Sequence, residues 1–212
     1  MNNSKYEDSM ILALGERLFY IMILNVLWVV CCLPVVTIGA STTALNYTWI
    51  KILRDEGESV VRMFFSSFAR NIRQALIIWT GMLAVLIIFG SFLIQLLGAI
   101  NAGHKLAIIG AILIVLCLLL WLLLFAFVFF VLSRFENTIF RTFTNSVYLA
   151  LRNPQHTVKI FFIMFFMVLI LPYFLWVYFP YGFPMVIFFG APVTAMLLAK
   201  HFNKIFEEFI PE

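Results

Sequence analysis

The stretch from Leu106 to Leu132, LAIIGAILIVLCLLLWLLLFAFVFFVL, holds 27 consecutive residues without a charge. At ~1.5 Å per residue it makes roughly 40 Å of helix against roughly 30 Å of bilayer hydrocarbon, so it must tilt or project. A run this long and unalternating satisfies its backbone polar groups in lipid as a helix, not as a strand of a closed barrel. The rest of the chain agrees. Hydrophobic residues fill 64% of the 212 positions and charged residues 11%, a balance that would leave a soluble protein coated in apolar surface. The expected fold is all-α, a polytopic membrane protein with about five transmembrane helices plus cytoplasmic amphipathic helices, in a single membrane domain over residues 1–212.

Downstream, Ile160 to Ala199 carries no charge, and its 40 positions suffice for two spans of roughly 20 residues. The turn Pro180-Tyr181-Gly182-Phe183-Pro184 separates them, and Tyr173, Trp176, Tyr178 and Tyr181 cluster beside it as amphipathic rings do at a headgroup boundary. Upstream, Gln74 to Leu97 forms a span and Gly98 to Lys105 a short turn. A first span runs from about Leu18 to Val36, with Pro34 breaking or kinking it near its exit.

Three segments carry an apolar stripe beside charge. Thr42 to Leu53 reads as a short helix and Asp55 to Ser59 as a turn. Val61, Phe64, Phe65, Phe68 and Ile72 then recur at helical spacing and predict an interfacial helix. Phe135, Ile139, Phe143, Val147 and Leu151 predict a second, beside Arg134, Glu136, Arg141 and Arg152 and stopped by Asn153-Pro154. In the tail, residues 200–212, Phe202, Ile205, Phe206, Phe209 and Ile210 predict a third interfacial helix on the cytoplasmic side. Arg70-Asn71 with Gln74, and Arg152-Asn153-Pro154-Gln155, each precede a span, a weak echo of internal duplication.

The formal net charge of +4 would suggest nucleic acid in a soluble protein, but these cations flank apolar spans and act as topology signals, so no nucleic-acid partner is expected. With five spans, Lys5, Arg17 and Lys105 fall on one side and eleven basic residues on the other. That predicts an extracellular N-terminal segment over 1–17, a cytoplasmic C-terminus, and a multi-pass place in the cell membrane. The leader carries Glu7, Asp8 and Glu16 against Lys5 and Arg17, and Ile38-Gly39-Ala40 is a poor cleavage site, so the first apolar stretch is expected to be retained.

Chemistry is sparse. All ten acidic residues fall outside the predicted membrane core, as do Lys, Arg and His, which lowers the case for a proton- or sodium-coupled transporter. His104, His156 and His201 sit in separate loop or tail segments, and Cys31, Cys32 and Cys117 in apolar stretches without ligand-spaced partners. No HExxH, phosphate-binding glycine loop or Ser/His/Asp pattern appears. The expectation is a non-enzyme with no catalytic residue, no metal and no cofactor.

The informative stretch is Asn25-Val26-Leu27-Trp28 followed by Leu33-Pro34-Val35-Val36-Thr37-Ile38-Gly39-Ala40-Ser41-Thr42-Thr43-Ala44-Leu45. Small and hydroxyl residues after a helix-breaking proline fit a packed helix-to-helix corner, built on Pro34, Thr37, Gly39 and Thr42, or a polar notch at the membrane face. Asn25, embedded in a span, reads as interhelical glue. Arg70, Asn71 and Gln74 read as a partner-binding or helix-capping cluster, in which Arg70 either anchors at headgroups or pairs with a carboxylate.

These residues, with Arg54-Asp55 and Phe64-Phe65-Ser66-Ser67-Phe68-Ala69-Arg70-Asn71 and Gln74, resemble the YesL family. The resemblance covers most of the chain, with its strongest motifs in residues 25 to 75. It implies a small bacterial membrane protein, often encoded beside sugar-binding-protein-dependent ABC importers and glycan-degrading enzymes, and it supplies no catalytic residues. The function it implies is a non-catalytic accessory to carbohydrate uptake whose partners are membrane lipid and the ABC permease subunits. The competing readings are a facilitator or exporter with a cavity lined by Asn25, Thr37, Thr42, Thr80 and Gln95, and a membrane signalling adaptor. Oligomeric state is not legible.

Overall fold

The computed structural model describes residues 3–56, 59–178 and 183–207, with side chains for 15–56, 59–178 and 190–207. Eight α-helices are present among them: α1 Asn3–Cys32, α2 Ile38–Leu53, α3 Val60–Asn101, α4 Ala107–Arg134, α5 Ile139–Arg152, α6 Pro154–Phe165, α7 Leu171–Tyr178 and α8 Phe183–Glu207. No strand occurs among the described residues, and α1, α3, α4 and the rod formed by α6 and α7 are long and apolar enough to cross a bilayer. The chain is an all-α polytopic membrane protein. The fifth expected span corresponds to α8, and the turn expected at Pro180–Gly182 lies outside the described residues.

The predicted interfacial helix and the predicted second span are one unbroken helix of 42 residues, α3. At ~1.5 Å per residue that is about 63 Å, twice the hydrocarbon thickness, so only part of it crosses. Its surface shows where. Exposed Arg62, Arg70 and Arg73 mark the first third, and from Ile77 onward the outward side chains are uncharged and mostly apolar, among them Ile87, Phe92, Ile94 and Leu97. The sequence between Phe68 and Ile78 contains neither proline nor glycine, so nothing interrupts the hydrogen-bond ladder.

Helix α4 runs back beside α3, with Gly110 against Leu96 near one end and Phe129 against Trp79 near the other. Its hydropathy is uniform but its surroundings are not. Residues 107–120 face outward along most of their length, whereas every residue from Ala126 to Ser133 is buried. The second half of α4 is thus the axis of the core, packed by α2, α3, α5 and α6 and, through Phe202, by α8.

The rod of α6 and α7 is joined by a π-helical segment, Phe166–Ile170. Pro172 lies just beyond it. A proline donates no N–H and its ring clashes with the carbonyl four residues back, here Val168, and widening the turn relieves that conflict. The tail departs from expectation. Phe202, Ile205 and Phe206 are fully buried on α4 and its exit, with Phe202 stacked on Phe130 at 4.1 Å and Phe206 edge-on to Phe135 at 5.4 Å. The apolar stripe read as an interfacial face is core, because α8 continues unbroken from Phe183 through Glu207 and carries its own tail inward. Phe209 and Ile210 lie outside the described residues.

Candidate functional site: a side-chain-capped corner and the cavity beside it

Pro34 stops α1, and the chain turns through a 3-10 segment, Val35–Thr37, into α2. A break of this kind strands carbonyl groups. Here amides and side chains take them up together: the Thr37 hydroxyl is shared between Cys31 O at 2.6 Å and Pro34 O at 2.7 Å, Pro34 O also accepts the Thr37 amide and Val35 O the Ile38 amide, Trp79 Nε1 donates to Val35 O at 2.7 Å, and Ser41 Oγ donates to Thr37 O at 3.0 Å. Thr43 and Thr48 turn their hydroxyls onto carbonyls four residues back in α2, so they satisfy backbone and present little polarity to any ligand.

Gly39 fixes how closely α2 approaches its neighbours. A Cβ there would lie 2.7 Å from Trp79 Cβ, 2.9 Å from Phe129 Cε1 and 3.0 Å from the Ala75 carbonyl. No side chain fits. On this face the corner is packed solid against α3 and α4, by an aromatic group in which Trp79 meets Phe125 at 5.9 Å and Phe129 at 6.5 Å.

The opposite face of α2 is open. A cavity of about 360 Å³ lies between Trp28 of α1, Ile38, Thr42 and Asn46 of α2, Phe125 and Phe130 of α4, Met164, Met167, Val168 and Pro172 on the α6–α7 rod, and Thr194 and Leu198 of α8. Trp28 Nε1 points to Thr42 Oγ1 at 3.4 Å, and Thr194 Oγ1 donates to Gly190 O. Little besides Asn46 offers uncommitted polarity.

The set suggested for a facilitator is dispersed. Thr42 lines the cavity, Thr37 caps the corner, Thr80 bonds its own helix on the exposed side of α3, and Gln95 is exposed farther along that helix. Asn25 is buried on α1 at 5% exposure, and its Oδ1 has no hydrogen-bond partner.

Arg70, Asn71 and Gln74 lie on one turn of α3 with different partners. Gln74 Nε2 donates to Asn137 O at 2.8 Å and to Thr142 Oγ1 at 3.2 Å, tying α3 to the α4–α5 linker and to α5. Asn71 Nδ2 donates to Ser67 O within the helix. Arg70 is half exposed, 3.8 Å from a Glu136 carboxylate oxygen and above the Tyr47 ring.

A second cleft was not foreseen. Glu16, Arg17 and Tyr20 of α1 line it together with Trp49, Leu53, Asp55 and Glu56 at the end of α2, Met63 of α3 and Lys200 of α8. Lys51 pairs with Glu56 at 2.9 Å, and Tyr20 bonds the Glu16 carboxylate. One signal was available: from Pro34 the charged pairs Glu16-Arg17 and Arg54-Asp55 lie at similar distances along the chain, as the two feet of a hairpin do. Nearby, the His156 and His201 rings are 5.6 Å apart, and burial, with His156 and three lysines around it, holds His201 below the usual histidine range. No group of three His, Cys, Asp or Glu side chains placed to hold a metal ion occurs among the described residues.

Fold and corner together define a polytopic helical membrane protein whose distinctive part is the N-terminal hairpin and the helix it packs on. Residues 21–91, which take in the end of α1, all of α2 and most of α3, match the family model described as "Protein of unknown function, DUF624", the group that includes YesL. No curated protein and no solved structure matches the chain.

Proposed function

We propose that this protein is a non-catalytic accessory subunit of the cell membrane that associates with the permease of a sugar ABC importer. The sugar-import setting comes from the YesL resemblance of residues 25–75. The observation that carries the accessory role is the outward face of α5. Phe140 and Leu151 are 80% and 77% exposed, and Val147 and Tyr148 are about half exposed, on a short helix set among Arg70, Arg141 and Arg152. Apolar side chains in a basic setting suit a protein partner at the membrane surface, and the resemblance to a family encoded beside importers favours the permease over the lipid headgroups as what covers them.

The cavity argues in the same direction. Sugar recognition uses several convergent donors and acceptors beside aromatic platforms, and this lining is almost wholly apolar. Sugar passage therefore belongs to the partner.

Affinity purification of the tagged protein from its native host in mild detergent, followed by mass spectrometry, tests the reading. Recovery of importer permease subunits, lost in Phe140→Glu and Leu151→Glu at unchanged membrane abundance, is the expected result. Recovery of this chain alone, with sugar uptake unchanged in its absence, favours a stand-alone facilitator.

A further inference from the structure

We infer that α1 and α2 form a re-entrant hairpin: both feet stand on the cytoplasmic side, and the apolar tip, Leu33–Val36, is seated among the acyl chains of the cytoplasmic leaflet. Depth along α3 carries the first step. Gln74 is bonded to the α4–α5 linker, which fixes the end of α4 beside it. Trp79, whose indole holds the Val35 carbonyl, is five residues farther, ~8 Å at ~1.5 Å per residue. The far end of α3, Asn101, lies another 22 residues away, about 33 Å. α4 gives the same depth, since Gly39 abuts Phe129, five residues before Arg134. The tip is therefore far short of the opposite face.

Chemistry at the tip carries the second step. Leu33 is 76% exposed, Val35 56% and Val36 46%, with Pro34 exposed between them. Four consecutive outward apolar residues are a liability in water and natural in hydrocarbon. Irregular backbone at such depth requires that its polar groups be met by the protein; the Cys31 and Pro34 carbonyls share the Thr37 hydroxyl, the Pro34 and Val35 carbonyls accept the Thr37 and Ile38 amides, and Trp79 and Ser41 add donors to Val35 and Thr37. Val26 and Val30, exposed on the last two turns of α1, continue the same apolar surface up to the tip.

Charge carries the third. Glu16 and Arg17 share one cleft with Asp55, Glu56 and Lys200, so the foot of α1 stands at the end of the molecule that holds the α2–α3 turn. With α3, α4 and the α6–α7 rod crossing, and α8 crossing as the second half of the charge-free run 160–199, the described chain starts and finishes on that side. Of the 14 Lys and Arg residues only Lys105 then remains outside, thirteen against one, where a crossing α1 gives eleven against three. The positive-inside bias is sharper for the re-entrant arrangement.

The two arrangements place residue 15 on opposite sides. In a chain with its three cysteines replaced by alanine, single cysteines go in at Gly15, whose added Cβ would meet nothing within 4 Å, at Ser59 and at Asn101. Whole cells are treated with an impermeant maleimide before and after permeabilisation. Gly15→Cys is expected to label only after permeabilisation, as Ser59→Cys does, with Asn101→Cys labelling in intact cells. Labelling of Gly15→Cys in intact cells overturns the inference. If Gly15→Cys labels in neither condition, an N-terminal fluorescent reporter that matures only in the cytoplasm decides: fluorescence supports the inference and a dark, full-length fusion overturns it.

Discussion

Two helical hairpins lie side by side here, and their tips are built from opposite chemistry. The α3–α4 tip, Asn101-Ala102-Gly103-His104-Lys105, is polar and exposed, and it closes in the ordinary way of a helix end. Gly103 takes φ 93°, and the Ala102, Gly103 and His104 amides return to carbonyls of the last turn of α3. The α1–α2 tip, Leu33-Pro34-Val35-Val36, is apolar and exposed, and within it the Pro34 carbonyl accepts from the Thr37 amide and hydroxyl and the Val35 carbonyl from the Ile38 amide and the Trp79 indole. A tip that reaches water leaves its remaining carbonyls to water. A tip that stays in lipid must bring its own donors.

The largest expected contrast between the hairpins comes from a charge at each tip. Val36→Asp should destabilise the membrane-inserted protein by up to ~2.5–3.5 kcal/mol, the cost of an acidic side chain at the centre of a membrane helix. Ala102→Asp should stay within ~0.5 kcal/mol, as surface changes do. Membrane abundance and thermal unfolding midpoint read both. Equal effects at the two positions would erase the distinction.

Next comes packing. Gly39→Leu forces a side chain into space held by Trp79, Phe129 and the Ala75 carbonyl, with an expected loss of ~1–3 kcal/mol or more. Gly98→Leu, on α3 near the other tip, meets nothing within 4 Å and should be close to silent in the same unfolding assay.

The smallest effects are expected at two indoles that each add a second donor to a carbonyl with a backbone partner. Trp79→Phe removes the indole from the Val35 carbonyl, which keeps the Ile38 amide, and should cost ~0.5–1.5 kcal/mol. Trp121→Phe removes a 3.1 Å bond to Met82 O, inside the continuous ladder of α3, and should cost a similar ~0.5–1.5 kcal/mol. No measurable loss in the unfolding midpoint of Trp79→Phe would mean that the corner does not depend on the indole.

Much of this fold is legible in the sequence, because length and hydropathy alone identify a membrane helix. The helical class, α4, the apolar rod ending in Tyr173, Trp176 and Tyr178, and the break at Asn153-Pro154 follow from local composition. At the corner, Pro34 and a glycine among small residues after it are local signals of a break with close backbone approach, but local pattern does not say that Gly39 meets Trp79 and Phe129 or that Thr42 turns instead toward the cavity. What local pattern does not encode is the partner of an apolar stripe. Phe202 and Phe206 have the spacing of an interfacial helix, and only the path of α8 shows that α4 covers them. The same limit applies to Gln74, whose polarity marked a site but whose bond to Asn137 lies 63 residues away. Depth is likewise invisible, because the 18-residue stretch Gly15–Cys32 of α1 is apolar enough to cross and nothing local tells a crossing helix from one that turns back.

The central claim is that the Leu33–Val36 tip lies in the hydrocarbon of the leaflet on the side of Gln74, and its depth is directly measurable. A bimane fluorophore on Val36→Cys, in the cysteine-free chain reconstituted into vesicles, is exposed in turn to aqueous iodide and to lipids brominated at successive acyl positions. The account predicts strong quenching by acyl bromines and almost none by iodide added to either face, with Asn101→Cys showing the reverse. Iodide quenching of the Val36 fluorophore as strong as at Asn101 would place the tip in water and contradict the account.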